Sequence, residues 1–511
     1  MRKIYALIIM CAIIIIISSC QKDLKQKSSI ATGDPQEEIL TKKEINNIIM
    51  DKLSQTGSFD WKDATDKMIW SALKHSDGII SVGYKPVLET NIDDRISSIN
   101  INDASWKDAK KQVLDLIYTY EKQNNLSLKQ EDLEVWKEKK LPVVDVKITS
   151  IETLKALRHL PLTRYVEPMG YDPIAEENVI TESSIFDGSG CGGYDGNNSL
   201  VAGSDYTVVS PNTKVSWNYS YHGIQNAWTK STGSGIKIMV IDSGVDPDQE
   251  NLGTDFNQGL SSGRTVEKIF TLPGVTSADD ECGHGTTMCG SATAPRGTDG
   301  NACGVAYNAS LIACRASKDV FIDESDEIKG VSDAYTAAGD NSSVKIISCS
   351  MGRLTSSGQI KDAINYAYGK GKLMFCAGGT SFSWTALFVG VIFPANLPNV
   401  QAVTGIKDKS KLTACSDCHK GKQIDFVIVM EKSVGGLHAL STATSGDVPT
   451  TVGGSSVATS TAAGIAALVW SRFPNFTRDD VINKLSTTAS KYPNKDKNYG
   501  WGIMNADAAT N

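Results

Sequence analysis

The sequence predicts an α/β protein, a parallel sheet covered by helices on both faces, preceded by a small α+β domain. Two observations carry this. From residue 213 to the end, short apolar runs alternate with helical stretches, and short all-apolar runs are what strands buried on both faces look like. Between residues 42 and 173, strand-like and helix-like stretches instead alternate within a segment long enough only for a small sandwich. A chain of 511 residues has room for two or three domains of about 100–200 residues. Hydrophobic residues at 41% and charged residues at 21% supply an ordinary core without help from metals. The net charge of −7 excludes the basic face that nucleic-acid binding needs.

At the start of the chain, Arg2 and Lys3 precede an apolar run over 4–17, followed by Ser18, Ser19 and Cys20. That is the layout of a secretory signal, and the run is shorter than the about 20 residues of a membrane span. Ile17, Ser18, Ser19 and Cys20 resemble a bacterial lipobox, which implies lipidation of Cys20 and an exported protein anchored to a bacterial membrane. The expected organisation is a signal peptide over 1–19, a polar tether over 20–41, the α+β domain over 42–173, a linker rich in Gly, Ser and Asn over 174–212, and the main domain over 213–511.

Within the α+β domain, residues 78–87 read as a strand. Residues 104–124 carry Trp106, Val113, Ile117 and Tyr120 at helical spacing. Residues 141–148 alternate as a strand, 151–159 form a short helix and 164–168 a closing strand. In the main domain, strands are expected at 236–241, 310–314, 344–348, 373–377 and 400–405, with helices at 327–338 and 359–368. Parallel sheets open their ligand crevices beyond the carboxyl ends of the strands, so chemistry is expected there.

Three segments fit that position. Asp242 follows four apolar strand residues and precedes Ser243 and Gly244, a sequence that also suits a plain turn. His284 stands between Gly283 and Gly285, at what reads as a helix start. Ser456 follows Gly453, Gly454 and Ser455 and leads into a run that is apolar on nearly every side, the mark of a buried helix. A serine at a helix N-terminus has backbone N–H groups and the positive dipole end beside it, and both favour a developing oxyanion.

The order Asp, His, Ser is one of the known chain orders of a hydrolytic triad. Asp242-Ser-Gly, His284-Gly-Thr and Gly454-Ser-Ser456-Val-Ala resemble the signature motifs of the subtilisin-like serine peptidases. Segments at 304–311, 347–352, 393–400 and 499–509 resemble the same family in the same order. The resemblance implies a serine endopeptidase with Ser456 as nucleophile, His284 as base and Asp242 as the group that orients the imidazole. It implies that the backbone of Ser350, Met351 and Gly352 pairs with an extended peptide. It also implies that the N-terminal domain, through 151–168, is similar to the family's propeptide, an intramolecular inhibitor released by a cut in the exposed stretch between about residues 181 and 214.

The chain departs from that pattern at the oxyanion hole. The family places an asparagine after Ala-Gly, and here Gly379 stands in its place, with Thr380 and Ser381 as nearby hydroxyl donors. Loss of such a donor costs about 10²–10³-fold in kcat. A peptide-binding pseudoprotease is therefore the alternative. A remoter one is a c-type haem protein, because Cys415, Cys418 and His419 match the C-x-x-C-H pattern. No cofactor is required by the main reading. Structural calcium is common in the family but receives no ligands here, since Asp246 and Asp248 equally suit a turn. Setting aside Cys11 in the signal and Cys20, nine of the eleven cysteines remain, so at least one thiol stays free. Cys349 and Cys376, inside apolar runs, read as buried thiols.

Overall fold

Residues 39–173, 190–380 and 390–511 are described in the computed structural model. The signal, Cys20, most of the tether, part of the linker and Ser381 lie outside them. The N-terminal region opens with two helices absent from the sequence expectation, α1 (Lys42–Thr56) and α2 (Asp66–Lys74). The Thr41 hydroxyl accepts from the Glu44 N–H, and the Glu44 carboxylate accepts from the Thr41 N–H, closing a capping box. Only Ile45, Ile49 and Leu53 of α1 are buried, a stripe too thin to stand out in a polar sequence. There follow β1 (Ile79–Tyr84), α3 (Ala104–Asn124), β2 (Glu134–Trp136), β3 (Val143–Lys147), α4 (Ile151–His159) and β4 (Thr163–Pro168). The four strands form an antiparallel sheet in the order β2-β3-β1-β4.

The main domain is built on β5 (Lys237–Asp242), β6 (Val266–Phe270), α5 (His284–Thr293), β7 (Ser310–Arg315), α6 (Ser325–Asp340), β8 (Val344–Cys349), α7 (Gly358–Gly369), β9 (Leu373–Ala377), β10 (Gln401–Lys407), β11 (Ile424–Glu431) and α8 (Gly454–Arg472). The seven strands pair in parallel in the order β11-β10-β9-β8-β5-β7-β6. Side chains alternate across β5: Met239 and Ile241 face the α6 and α7 side, and Ile238 and Val240 face the α8 side. Both faces are thus covered. The chain reaches β7 on one side of β5 and then crosses to β8 on the other, so the strand order reverses around β5 and a crevice opens at its carboxyl end.

The N-terminal sheet lies on α7. Arg164 Nη1 donates to Asp362 Oδ2 at 2.9 Å, and the Tyr165 hydroxyl donates to the same oxygen at 3.0 Å. Glu167 Oε2 accepts from the Gly358 N–H at 2.6 Å, at the first turn of α7, where an unpaired donor would otherwise remain. Gln359 Nε2 donates to Asp145 Oδ2 at 3.1 Å. The apolar core of the N-terminal region runs without a break into the α6 and α7 face of the large sheet. Beyond β4, Asp172 accepts from the N–H groups of Leu354 and Thr355, which brings this domain's end beside the segment that follows β8.

Candidate active site

Asp242 is the last residue of β5, and His284 is the first of α5. The glycines after them explain how they meet. A Cβ on Gly285 would lie 2.4 Å from the Gly244 carbonyl oxygen, and one on Gly244, with φ +118, would lie 2.3 Å from the Ala278 carbonyl oxygen. The two motifs therefore pack backbone against backbone. The Ser243 hydroxyl accepts from the Gly285 N–H at 2.9 Å and stitches them together. Asp280 sets the turn before the histidine: Oδ1 accepts from the N–H groups of Cys282 and Gly283, and Oδ2 from the N–H and hydroxyl of Thr286. Sequence reasoning missed Asp280. Its signal is an aspartate two residues before the Cys-Gly-His turn, where its carboxylate can cap backbone donors.

His284 Nδ1 lies 2.7 Å from Asp242 Oδ1, with the two side chains 4% and 1% exposed. A carboxylate only accepts, so Nδ1 carries the proton and Nε2 holds the free lone pair. Burial would lower the imidazole pKa, but the Asp242 carboxylate outweighs it and the net shift is upward. The Tyr194 ring packs edge-on against His284 with centroids 6.1 Å apart.

Ser456 lies in the first turn of α8, half-buried, on the wall of a cavity of about 240 Å³ that His284 also lines. Its hydroxyl makes a long 3.4 Å contact to the Ser350 carbonyl oxygen, and its own carbonyl accepts from the Ser350 hydroxyl at 3.0 Å. Neighbouring Ser455 is 1% exposed and fully engaged: its Oγ accepts from the Gly379 N–H at 3.1 Å and lies 3.0 Å from Thr380 Oγ1. Of the two serines, only Ser456 presents a hydroxyl to the cavity without tight partners.

Gly379 and Thr380 line the same cavity. Gly379 has φ +119, and a Cβ there would lie 2.4 Å from Nδ1 of His419. An imidazole thus occupies the space that the asparagine of the pattern needs. Burial lowers the His419 pKa to about 4, so the ring is neutral. Cys415 and Cys418 are joined to each other, which leaves no thiol for haem attachment, and the bridge shapes the loop that delivers His419. A second disulfide joins Cys191 to Cys282, while Cys289, Cys303, Cys314, Cys349 and Cys376 are buried thiols. His438, overlooked in the sequence, also lines the cavity, its ring against Gly453. Asp246 Oδ1 accepts from the Asp248 N–H at 2.9 Å, as a turn residue does. Among the described residues, no group of three or more His, Cys, Asp or Glu side chains is arranged to hold a metal ion.

Ser350, Met351 and Gly352 all border the cavity, and the Gly352 backbone is already paired. The Gly352 N–H donates to Val320 O at 3.1 Å, and its carbonyl accepts from the Ile322 N–H at 3.1 Å.

The model of the subtilase family matches residues 233–502, just over half of the chain. The chain belongs to the subtilase family. This subtilase is 31% identical over 302 residues to the subtilisin of Bacillus sp. (strain TA39), covering 56% of this chain and 68% of that protein. It is 29% identical over 307 residues to the M-protease of Shouchella clausii (strain KSM-K16), covering 60% and 72%. The solved structure of sphericase aligns at 25% identity with a TM-score of 0.44, covering 55% of this chain and 97% of that one. The subtilase is a subtilisin-like serine protease, and its sheet is the α/β sheet expected from the sequence.

Proposed function

We propose that this subtilase cleaves peptide bonds outside the cytoplasm through Asp242, His284 and Ser456. The observation that carries the proposal is the buried 2.7 Å contact between His284 and Asp242 on the wall of the cavity that Ser456 enters. Ser456 Oγ attacks the scissile carbonyl, and Nε2 of His284 takes its proton. The resulting imidazolium is stabilised by Asp242, which holds the proton on Nδ1. The same imidazolium then gives its proton to the leaving amine. The acyl-enzyme ester is hydrolysed by water along the reverse relay.

The oxyanion donors follow from proton counting. The Thr380 and Ser455 hydroxyls carry two protons but share one O···O contact of 3.0 Å, which uses only one of them. Thr380 Oγ1 accepts from the Ser455 N–H, and Ser455 Oγ accepts from the Gly379 N–H. Among the described residues the second proton has no acceptor, and it serves, beside the Ser456 N–H, in place of the missing amide. The competing reading, a peptide-binding protein without turnover, draws on the His419 ring that fills the amide's place.

The N-terminal domain, docked on α7 and ending beside the post-β8 segment, acts as the chain's own inhibitor until it is cut from the main domain. Cys20 carries the lipid that holds the protein at the membrane; among the described residues, no helix is long and apolar enough to cross one. Purified wild-type protein and Ser456→Ala should be compared on a peptide library. The wild type is expected to cleave, with the variant lower by about 10⁶-fold. Equal activity in the two would remove Ser456 from the mechanism. Labelled palmitate should enter wild-type protein in cells and be lost with Cys20→Ala.

A further inference from the structure

Part of the edge that an incoming peptide needs, at Gly352, is already paired within the chain. Gly352 is bonded through both its N–H and its carbonyl to residues 320–322, in a parallel bridge centred on Phe321. On the other side of the same stretch, the Arg353 N–H donates to Phe393 O, and the Phe393 N–H donates back to Arg353 O. The 320–322 segment is itself pinned. The Phe321 N–H donates to Asp319 Oδ1, the Ser317 hydroxyl to the Phe321 carbonyl, and Glu327 accepts from the N–H groups of Lys318, Asp323 and Glu324. Ile322 is fully buried and Phe321 nearly so.

A second piece of chain abuts it. Residues 190–194 are held to the histidine turn by the Cys191–Cys282 disulfide and by the Gly192 N–H donating to Cys282 O. At one end Gly190 lies so close to Val320 that a Cβ would come within 2.8 Å of Val320 Cγ2. At the other, Tyr194 packs on His284, its hydroxyl donating back to Gly190 O at 2.7 Å. Gly190, Gly193, Tyr194, Val320 and Phe321 line the cavity together with Ser456.

We infer that the disulfide-pinned strap at 190–194 and the paired segment at 320–322 form one wall that closes the acyl side of the cleft, so that substrates are selected by the one or two residues next to the scissile bond. This rests on the peptidase reading above and specifies its substrate class. Residues further towards the substrate's N-terminus find no unpaired backbone at Gly352 and add no affinity. In an open edge of the kind expected from the sequence, each further pair of main-chain hydrogen bonds would add about 10-fold or more.

The test is a series of peptides with one to four residues on the acyl side and a common leaving side. Their affinity is measured by calorimetry on Ser456→Ala whose N-terminal domain has been cut from the main domain by an added protease, and kcat/KM on the wild type. Both should level off after the second residue, within about 3-fold. In Cys191→Ser/Cys282→Ser, which removes the strap's brace against Val320 and so lets the 320–322 segment part from Gly352, the third and fourth residues should begin to add affinity. A rise of about 10-fold or more from two to four residues in the wild-type chain would overturn the wall. A profile that stays level in the double variant would overturn the strap's part in it. Binding with no hydrolysis by the wild type at any length would instead sink the peptidase reading, with the affinity profile still deciding the wall. Failure of every peptide to bind would overturn the inference as well.

Discussion

On one side of Ser456, the Asp242–His284 pair is locked in place by backbone packing, whereas on the other, the His419 ring fills a missing side chain's place at Gly379 and the hydroxyls of Thr380 and Ser455 pair with each other. The first side is over-determined. Gly285 against Gly244, Ser243 bridging the two motifs and Asp280 holding the turn all enforce one geometry. The second rests on a 3.0 Å hydroxyl contact, two backbone N–H groups donating to those hydroxyls and a glycine at φ +119. Acid–base geometry here tolerates little change. In the proposed mechanism, different atoms stabilise the oxyanion.

That contrast can be broken by substitution. The largest effect is expected on the rigid side: Asp242→Asn should lower kcat by about 10⁴-fold with little change in KM, because the amide favours the wrong imidazole tautomer. Thr380→Val removes one hydroxyl of the pair at nearly constant volume, and kcat should fall about 10- to 100-fold. If kcat is unchanged, the side-chain donor is another group and the proton count above is wrong. Gly379→Asn should not restore the pattern's amide. Its Cβ would meet His419 at a positive φ, so the melting temperature should drop by several degrees with no gain in kcat. The pH profile sharpens the same contrast. Since Asp242 raises the His284 pKa above the ordinary 6.5, the acid limb of kcat/KM should have its midpoint above that value.

A smaller effect is expected at the N-terminal interface. Burial raises the pKa of Glu167 to about 8, of Asp145 to about 7 and of Asp362 to about 6. Each group holds a proton in the docked state that it would release to water. Their contribution is therefore fully present below the ordinary carboxylate range and is lost as pH rises towards 8. Glu167→Gln keeps an acceptor for the Gly358 N–H but cannot ionise. The fall in melting temperature between about pH 5 and 8 should be shallower in that variant than in wild type.

Much of the rigid side was legible in the sequence because it is local. An apolar run ending in Asp242 and a glycine-flanked His284 both mark strand and helix ends. The helices expected at 327–338 and 359–368 appear as Ser325–Asp340 and Gly358–Gly369, longer by a turn or less. What escaped depends on distant residues. His419 reaches Gly379 only because a bridged loop folds back across 40 positions. The pairing of Gly352 with Val320 and Ile322 joins two loops after different strands. Helix α1 escapes because its apolar residues are sparse, and α2 because Met68, Ile69 and Trp70 run consecutively and show no helical period. The Cys191–Cys282 pairing could not be chosen among nine cysteines by spacing alone.

The proposed mechanism requires that the Ser456 hydroxyl alone among its neighbours be activated. An active-site-directed fluorophosphonate applied to the full-length wild-type chain, with the adduct mapped by peptide mass spectrometry, tests it most directly. One adduct is expected, on Ser456, lost in His284→Ala. An adduct on Ser455, or labelling of Ser456 that persists without His284, would contradict it.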